Sequence, residues 1–135
     1  MQGKGFANPE ERQLLAIKPR VYSHIREITM GSDTELWMFA RTVIPLGTLT
    51  GSAKRLAKID KKPIGKILFG RNGAVRKTLQ VDRINPGEVK SNQFNFAQFQ
   101  SGNDFDLWRR RSIFDLETGP IMISEIFLPN CPIYS

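Results

Sequence analysis

From Arg20 to Ile44 the sequence reads as an antiparallel β-hairpin. Arg20 to Met30 is rich in β-branched and aromatic side chains, Gly31-Ser32-Asp33-Thr34 supplies turn formers, and Leu36 to Ile44 resumes a strand-like pattern until Pro45. The pattern returns downstream. Val75 to Ile84 alternates as a third strand, and Leu107 to Leu116, the turn Glu117-Thr118-Gly119-Pro120 and Ile121 to Leu128 make a second strand–turn–strand unit closed by Pro129 and Pro132. Between these units, Ser52 to Ile59 is good helix sequence with Ser52 as its N-cap, and Pro63 is placed to open a second short helix through Ile67 and Phe69. Asn85 to Asp104 is polar, rich in Asn and Gln, and carries Phe94, Phe96 and Phe99 without a helical or strand period, so it reads as a long loop. The expected fold class is α+β, a mainly antiparallel β-sheet with short helices.

Composition narrows the function classes. A chain of 135 residues, 40% hydrophobic and 24% charged, suits one domain around a single core. Its longest apolar stretches, such as Ile121 to Ile123, are strand-sized, and Met1 to Glu11 has no apolar signal-like region, so no membrane span is expected. Cys131 is the only cysteine and His24 the only histidine, which leaves no disulfide and no cluster at zinc spacing and reads as a cytosolic chain without a metal. The net charge of +7 suits an anionic partner: nucleic acid, an acidic membrane face or a small polycarboxylate. No internal repeat, Gly-rich phosphate loop, G-x-S-x-G elbow or H-E-x-x-H helix is present.

Candidate residues emerge from strand parity. In Leu36 to Ile44, Trp37, Phe39, Arg41 and Val43 point one way, so Arg41 falls on an apolar face. A buried arginine there needs an anion: either a ligand carboxylate held by its planar fork, or a structural Arg–Glu pair. The last strand repeats the pattern, with Ile121, Ile123, Glu125 and Phe127 on one face, so Glu125 is a carboxylate among apolar neighbours or half of a buried pair. Arg109, Arg110 and Arg111 read as a solvated strand edge or a nucleic-acid contact, and Lys54, Arg55, Lys58, Lys61 and Lys62 as a solvated helix face and its exit. His24 and Cys131 lack the neighbours that would make them a base or a nucleophile.

Four blocks of the chain resemble the chorismate pyruvate-lyase family. They are Trp37-Met38-Phe39-Ala40-Arg41-Thr42-Val43-Ile44-Pro45, Pro63-Ile64-Gly65-Lys66-Ile67-Leu68-Phe69, Leu107-Trp108-Arg109-Arg110-Arg111-Ser112, and Ser124-Glu125-Ile126-Phe127-Leu128-Pro129-Asn130-Cys131-Pro132-Ile133-Tyr134. The resemblance implies a mainly antiparallel sheet enclosing an internal ligand cavity, in a monomeric cytoplasmic enzyme. That enzyme removes pyruvate from chorismate without metal or organic cofactor and feeds 4-hydroxybenzoate into ubiquinone synthesis. Carried over by block, the family's ligand contacts fall on Arg41, on Glu125, on the Leu107 main chain and on Met1 ahead of Gly5-Phe6. The expected organisation is one domain over residues 1–135 lacking the family's N-terminal helices, with an insertion at 85–106.

On that resemblance Arg41 engages a substrate carboxylate, Leu107 helps orient it, and Glu125 accepts a hydrogen bond from the 4-hydroxyl. Rival expectations are a small-molecule sensor domain of the same fold, as attached to some bacterial transcription regulators, and an inactive truncated relative. A third is a nucleic-acid module using Arg109 to Arg111 with exposed Phe94, Phe96 and Phe99 as stacking groups.

Overall fold

The computed structural model describes residues 2–58, 64, 75–89, 91, 94, 96 and 106–134. Its strands are β1 (Gln2–Gly5), β2 (Ser23–Gly31), β3 (Leu36–Pro45), β4 (Val75–Ile84), β5 (Leu107–Leu116) and β6 (Gly119–Phe127). They form one sheet in the order β1-β2-β3-β6-β5-β4, with every neighbouring pair antiparallel. Both expected hairpins are present, β2–β3 and β5–β6. They join where β6 pairs with β3, so the two strands that carry Arg41 and Glu125 lie side by side at the sheet's centre.

The turn into β6 shows why its residues are what they are. Gly119 has φ +149°, and a Cβ there would come within 2.5 Å of the Thr48 hydroxyl oxygen. Thr48 in turn donates to the Pro120 carbonyl at 3.0 Å, while the Thr118 hydroxyl donates to the Thr48 carbonyl at 2.7 Å. Only glycine satisfies both the backbone angle and the close approach.

Two elements were not anticipated. The first is β1, which pairs along the outer edge of β2. The second is a helix, α1 (Pro9–Leu15), too short to show an apolar period but well marked at its start. Asn8 accepts from the Glu11 backbone N–H at 2.9 Å, Glu11 returns the bond to the Asn8 N–H at 2.9 Å, and Pro9 opens the first turn. Ala16, at φ 55°, ends it in the left-handed conformation.

The helix expected over Ser52 to Ile59 is instead a 3₁₀ segment, Gly51–Lys58. Its two buried apolar residues, Ala53 and Leu56, are three apart, the spacing that a three-residue turn stacks on one side, and Lys54, Arg55 and Lys58 face solvent as expected. Of the second expected helix only Ile64 lies within the described residues, and it is buried against Leu56 and Ala53 in the same cluster.

The described part of the expected loop also carries structure. Asn85 accepts from Gly87 N–H at 2.9 Å and starts a 3₁₀ turn, Pro86–Glu88. Phe96 is 4% exposed, and its ring meets Phe39 edge-on at 5.1 Å and Phe94 at 4.8 Å. These aromatics are core, not the exposed stacking platform that a nucleic-acid reading requires, because the central strand offers Phe39 as an apolar surface to bury; Phe99 lies outside the described residues.

Both faces of the sheet are covered. On one, α1 packs through Leu15 on Ile25, Val43 and Met122, beside the cluster of Phe39, Leu107, Ile126 and Phe96. On the other, Ile44, Phe114, Ile121 and Ile123 lie under Ala53, Leu56 and Ile64. Phe39 to Ile44 of β3 is buried at every position, as a central strand covered on both sides must be.

Candidate functional site

Cross-strand partners share a face of the sheet. The register pairs Ala40 with Glu125 and Arg41 with Ser124. Arg41 and Glu125, the two leading sequence candidates, therefore sit on adjacent strands but on opposite faces, and the structure does not bring them to one pocket.

On the α1 face, Arg41 is 5% exposed and fully engaged by carboxylates. Its Nε and Nη2 donate to the two oxygens of Glu11 at 2.8 and 3.0 Å, and its Nη1 donates to Glu27 at 2.7 Å. Burial opposes its charge, but hydrogen bonds and attraction from Glu11 and Glu27 outweigh that and raise its pKa above the ordinary value. Ser91 donates to the remaining Glu27 oxygen at 3.1 Å. This network ties α1 and Ser91 to the sheet, which is the structural Arg–Glu reading of Arg41 in a three-membered form. The concave space beside it, about 390 Å³, is edged by Arg109 and Arg111, themselves paired with Asp82 and Glu10.

The opposite face holds a pocket of about 420 Å³. Arg26 of β2 lines it and is 2% exposed. Glu125 of β6 lines it two strands away, and between them the β3 floor is made of the small side chains Ala40 and Thr42. Ile28, Met38 and Ile123 supply apolar walls, and Ser112 and Arg110 of β5 close the far side. Arg110 donates from Nε and Nη2 to the two oxygens of Glu125 at 2.8 and 3.0 Å, and this hydrogen bonding, against partial burial, raises the Arg110 pKa. Glu125 is thereby fixed as an acceptor at the pocket's edge.

Arg26 is the residue the sequence reading passed over. The signal was available: His24, Arg26, Ile28 and Met30 alternate on one face of β2, the same argument that singled out Arg41. Other candidates fall elsewhere. Leu107 opens β5 fully buried, its side chain in the Phe39 and Ile126 cluster on the α1 face, and it does not line the Arg26–Glu125 pocket. Met1 lies outside the described residues. Arg109 to Arg111 are not a solvated edge, since β5 is internal, flanked by β4 and β6, whose acidic residues pair them. His24 has a pKa lowered by burial and by Arg26 and sits 3.1 Å from Gln2 through Nε2, and Cys131 is buried with a free thiol. Among the described residues no group of three or more His, Cys, Asp or Glu side chains is placed to hold a metal ion.

Comparison with known proteins places the chain. The chorismate lyase family profile matches residues 5–135. The chorismate pyruvate-lyase of Hamiltonella defensa is 37% identical over 125 residues, which is 93% of this chain and 59% of that protein. That of Yersinia enterocolitica is 35% identical over 126 residues, 93% of this chain and 62% of that protein, so the chain spans about three fifths of the length of the curated relatives it matches. Among solved structures, the C-terminal domain of Yurk from Bacillus subtilis superposes with a TM-score of 0.62 at 16% identity, covering 96% of this chain and 88% of that one. PhnF from Mycobacterium smegmatis gives 0.61 at 8% identity, covering 96% and 56%. At such identities the structural likeness speaks for the fold alone, a mainly antiparallel sheet with short helices. The family profile, by contrast, covers nearly the whole sequence, and the chain belongs to the chorismate lyase family.

Proposed function

We propose that this chain carries the activity named for its relatives, eliminating pyruvate from chorismate to leave 4-hydroxybenzoate, and that the Arg26–Glu125 pocket is where it happens. The observation that supports this is a buried arginine and a carboxylate that line one pocket two strands apart, with small side chains between. β2 and β6 are separated by two interstrand spacings, roughly 10 Å. A six-membered ring with a carboxylate at one end and a hydroxyl at the other fits that span once the side chains reach inward. Arg26 takes the ring carboxylate, Glu125 accepts from the para hydroxyl, and Ala40 leaves room for the ring.

The reaction breaks the C4–H and C3–O bonds. The C–H electrons become the new ring double bond, which aromatises the ring, and the C–O electrons leave on the enolpyruvyl oxygen. The proton ends on the methylene carbon of the departing enol, giving pyruvate. With aromatisation as the driving force, the protein's task is to hold the reactive conformer and stabilise charge on the leaving oxygen. Glu125 need not shuttle a proton for this. The reading keeps the family's expectation of a monomeric, cytoplasmic, cofactor-free enzyme.

The test is pyruvate release from chorismate by the purified protein, coupled to lactate dehydrogenase, with 4-hydroxybenzoate identified as co-product; release of both is the expected result. Folded protein that binds 4-hydroxybenzoate without releasing pyruvate would favour a non-catalytic ligand-binding domain of the same fold. Glu125→Gln is expected to weaken 4-hydroxybenzoate binding about tenfold, a loss of ~1.4 kcal/mol, by replacing a charged acceptor with a neutral one. Calorimetric titration of the variant with 4-hydroxybenzoate and with benzoate checks it, since benzoate has no hydroxyl to lose.

A further inference from the structure

The Arg26–Glu125 pocket contains a polar group whose hydrogen-bonding capacity is unmet. Ser112 lines it, is 2% exposed, and its hydroxyl has no hydrogen-bond partner among the described residues. A buried hydroxyl left so lowers the stability of the free protein, and a ligand atom that satisfies it recovers that loss on binding.

The register says which ligand atom this is. Arg26 is opposite Thr42, Thr42 opposite Ile123, and Ile123 opposite Ser112, so these four form one row across the sheet. The next row runs Ile28, Ala40, Glu125, Arg110. The line from Arg26 to Glu125 is thus a diagonal between the rows. On one side of it lie Ile28, Met30 and Met38, which offer no donor; on the other lie Thr42, Ile123, Arg110, whose Nε and Nη2 are held by Glu125, and Ser112, whose hydroxyl is unsatisfied among the described residues.

In chorismate the enolpyruvyl ether is attached to the ring carbon next to the one bearing the hydroxyl. With the ring carboxylate at Arg26 and the hydroxyl at Glu125, the ether oxygen leaves the axis sideways at the Glu125 end. We infer that Ser112 Oγ–H donates a hydrogen bond to this ether oxygen and strengthens it as the C3–O bond breaks and negative charge gathers there. This rests on the lyase reading above and adds to it a catalytic donor. The electrons of the breaking bond stay on the leaving oxygen, and Ser112 keeps its proton and is unchanged at the end of the cycle.

The experiment compares wild type, Ser112→Ala and Ser112→Thr for steady-state pyruvate release, 4-hydroxybenzoate affinity and thermal midpoint. Ser112→Ala is expected to lower kcat by about tenfold or more, as loss of one donor to a developing oxyanion does. Its affinity for 4-hydroxybenzoate, which lacks the ether, stays within about twofold. Its Tm is unchanged or higher, because an unsatisfied buried hydroxyl has been removed. Ser112→Thr, which retains a hydroxyl, keeps more turnover than Ser112→Ala. A Ser112→Ala protein with kcat within about twofold of wild type, or one that loses 4-hydroxybenzoate affinity in parallel with turnover, overturns the assignment while leaving the lyase reading intact. A folded wild type that releases no pyruvate overturns the lyase reading itself, and the Ser112 donor with it.

Discussion

Arg26→Met is expected to reduce kcat/KM for chorismate by about 100-fold or more and to weaken 4-hydroxybenzoate to a similar degree. Removing one partner of a buried charge pair costs roughly 3 kcal/mol, and this converts to that factor. Arg26 is 2% exposed and lines a pocket walled by Ile28, Met38 and Ile123, so a methionine there leaves the ring carboxylate without its charged partner among apolar side chains. Arg26→Lys restores charge without the planar fork and is expected to recover only part of the loss. Turnover and calorimetric titration measure the effect, and a thermal melt separates it from unfolding. An Arg26→Met protein that melts cooperatively and turns chorismate over at the wild-type rate would move the carboxylate site away from β2.

Alternation within β2 was enough to put Arg26 on a face with Ile28; that Arg26, and not Arg41, shares its face with Glu125 was beyond it. Alternation within one strand was legible: it put Arg41 with Phe39 and Val43, and Glu125 with Ile121 and Ile123, and both groupings hold in the folded sheet. Alternation carries no information about how two strands align. A register of Ala40 opposite Glu125 sends Arg41 and Glu125 to opposite faces, and a slip of one residue would have united them. The hairpins were legible because glycine, proline and short polar residues mark their turns. Helix α1 was not, because seven residues are too few for an apolar period, although Asn8-Pro9-Glu10-Glu11 spells its capping box. Nor could the pairing of Arg109 with Asp82 and of Arg110 with Glu125 be read from a run of like charges, since the partners arrive from the two flanking strands.

Arg41→Met is expected to act on stability instead, lowering it by about 3–5 kcal/mol, which for a domain of this size moves the thermal midpoint by on the order of 10 °C. The physical reason is what the substitution leaves behind. Glu11 and Glu27, 4% and 3% exposed, lose the Arg41 guanidinium that pairs with both of them and are left as neighbouring buried carboxylates. Glu11 belongs to α1 and Ser91 hangs on Glu27, so both covers of that face loosen together. A variant that neutralises the whole set, Glu11→Gln with Glu27→Gln and Arg41→Met, is expected to regain part of the lost stability, because it is the orphaned charges that cost most. At a temperature where Arg41→Met is folded, pyruvate release per folded molecule is expected to remain within a fewfold of wild type, since the pocket proposed for the substrate lies through the sheet on the other face. Differential scanning calorimetry with a matched coupled assay decides the matter. A midpoint that does not move, together with loss of 4-hydroxybenzoate binding, would transfer the carboxylate contact from Arg26 to Arg41 and place the ligand in the α1-covered cavity, with Glu11 occupying the position its carboxylate must take.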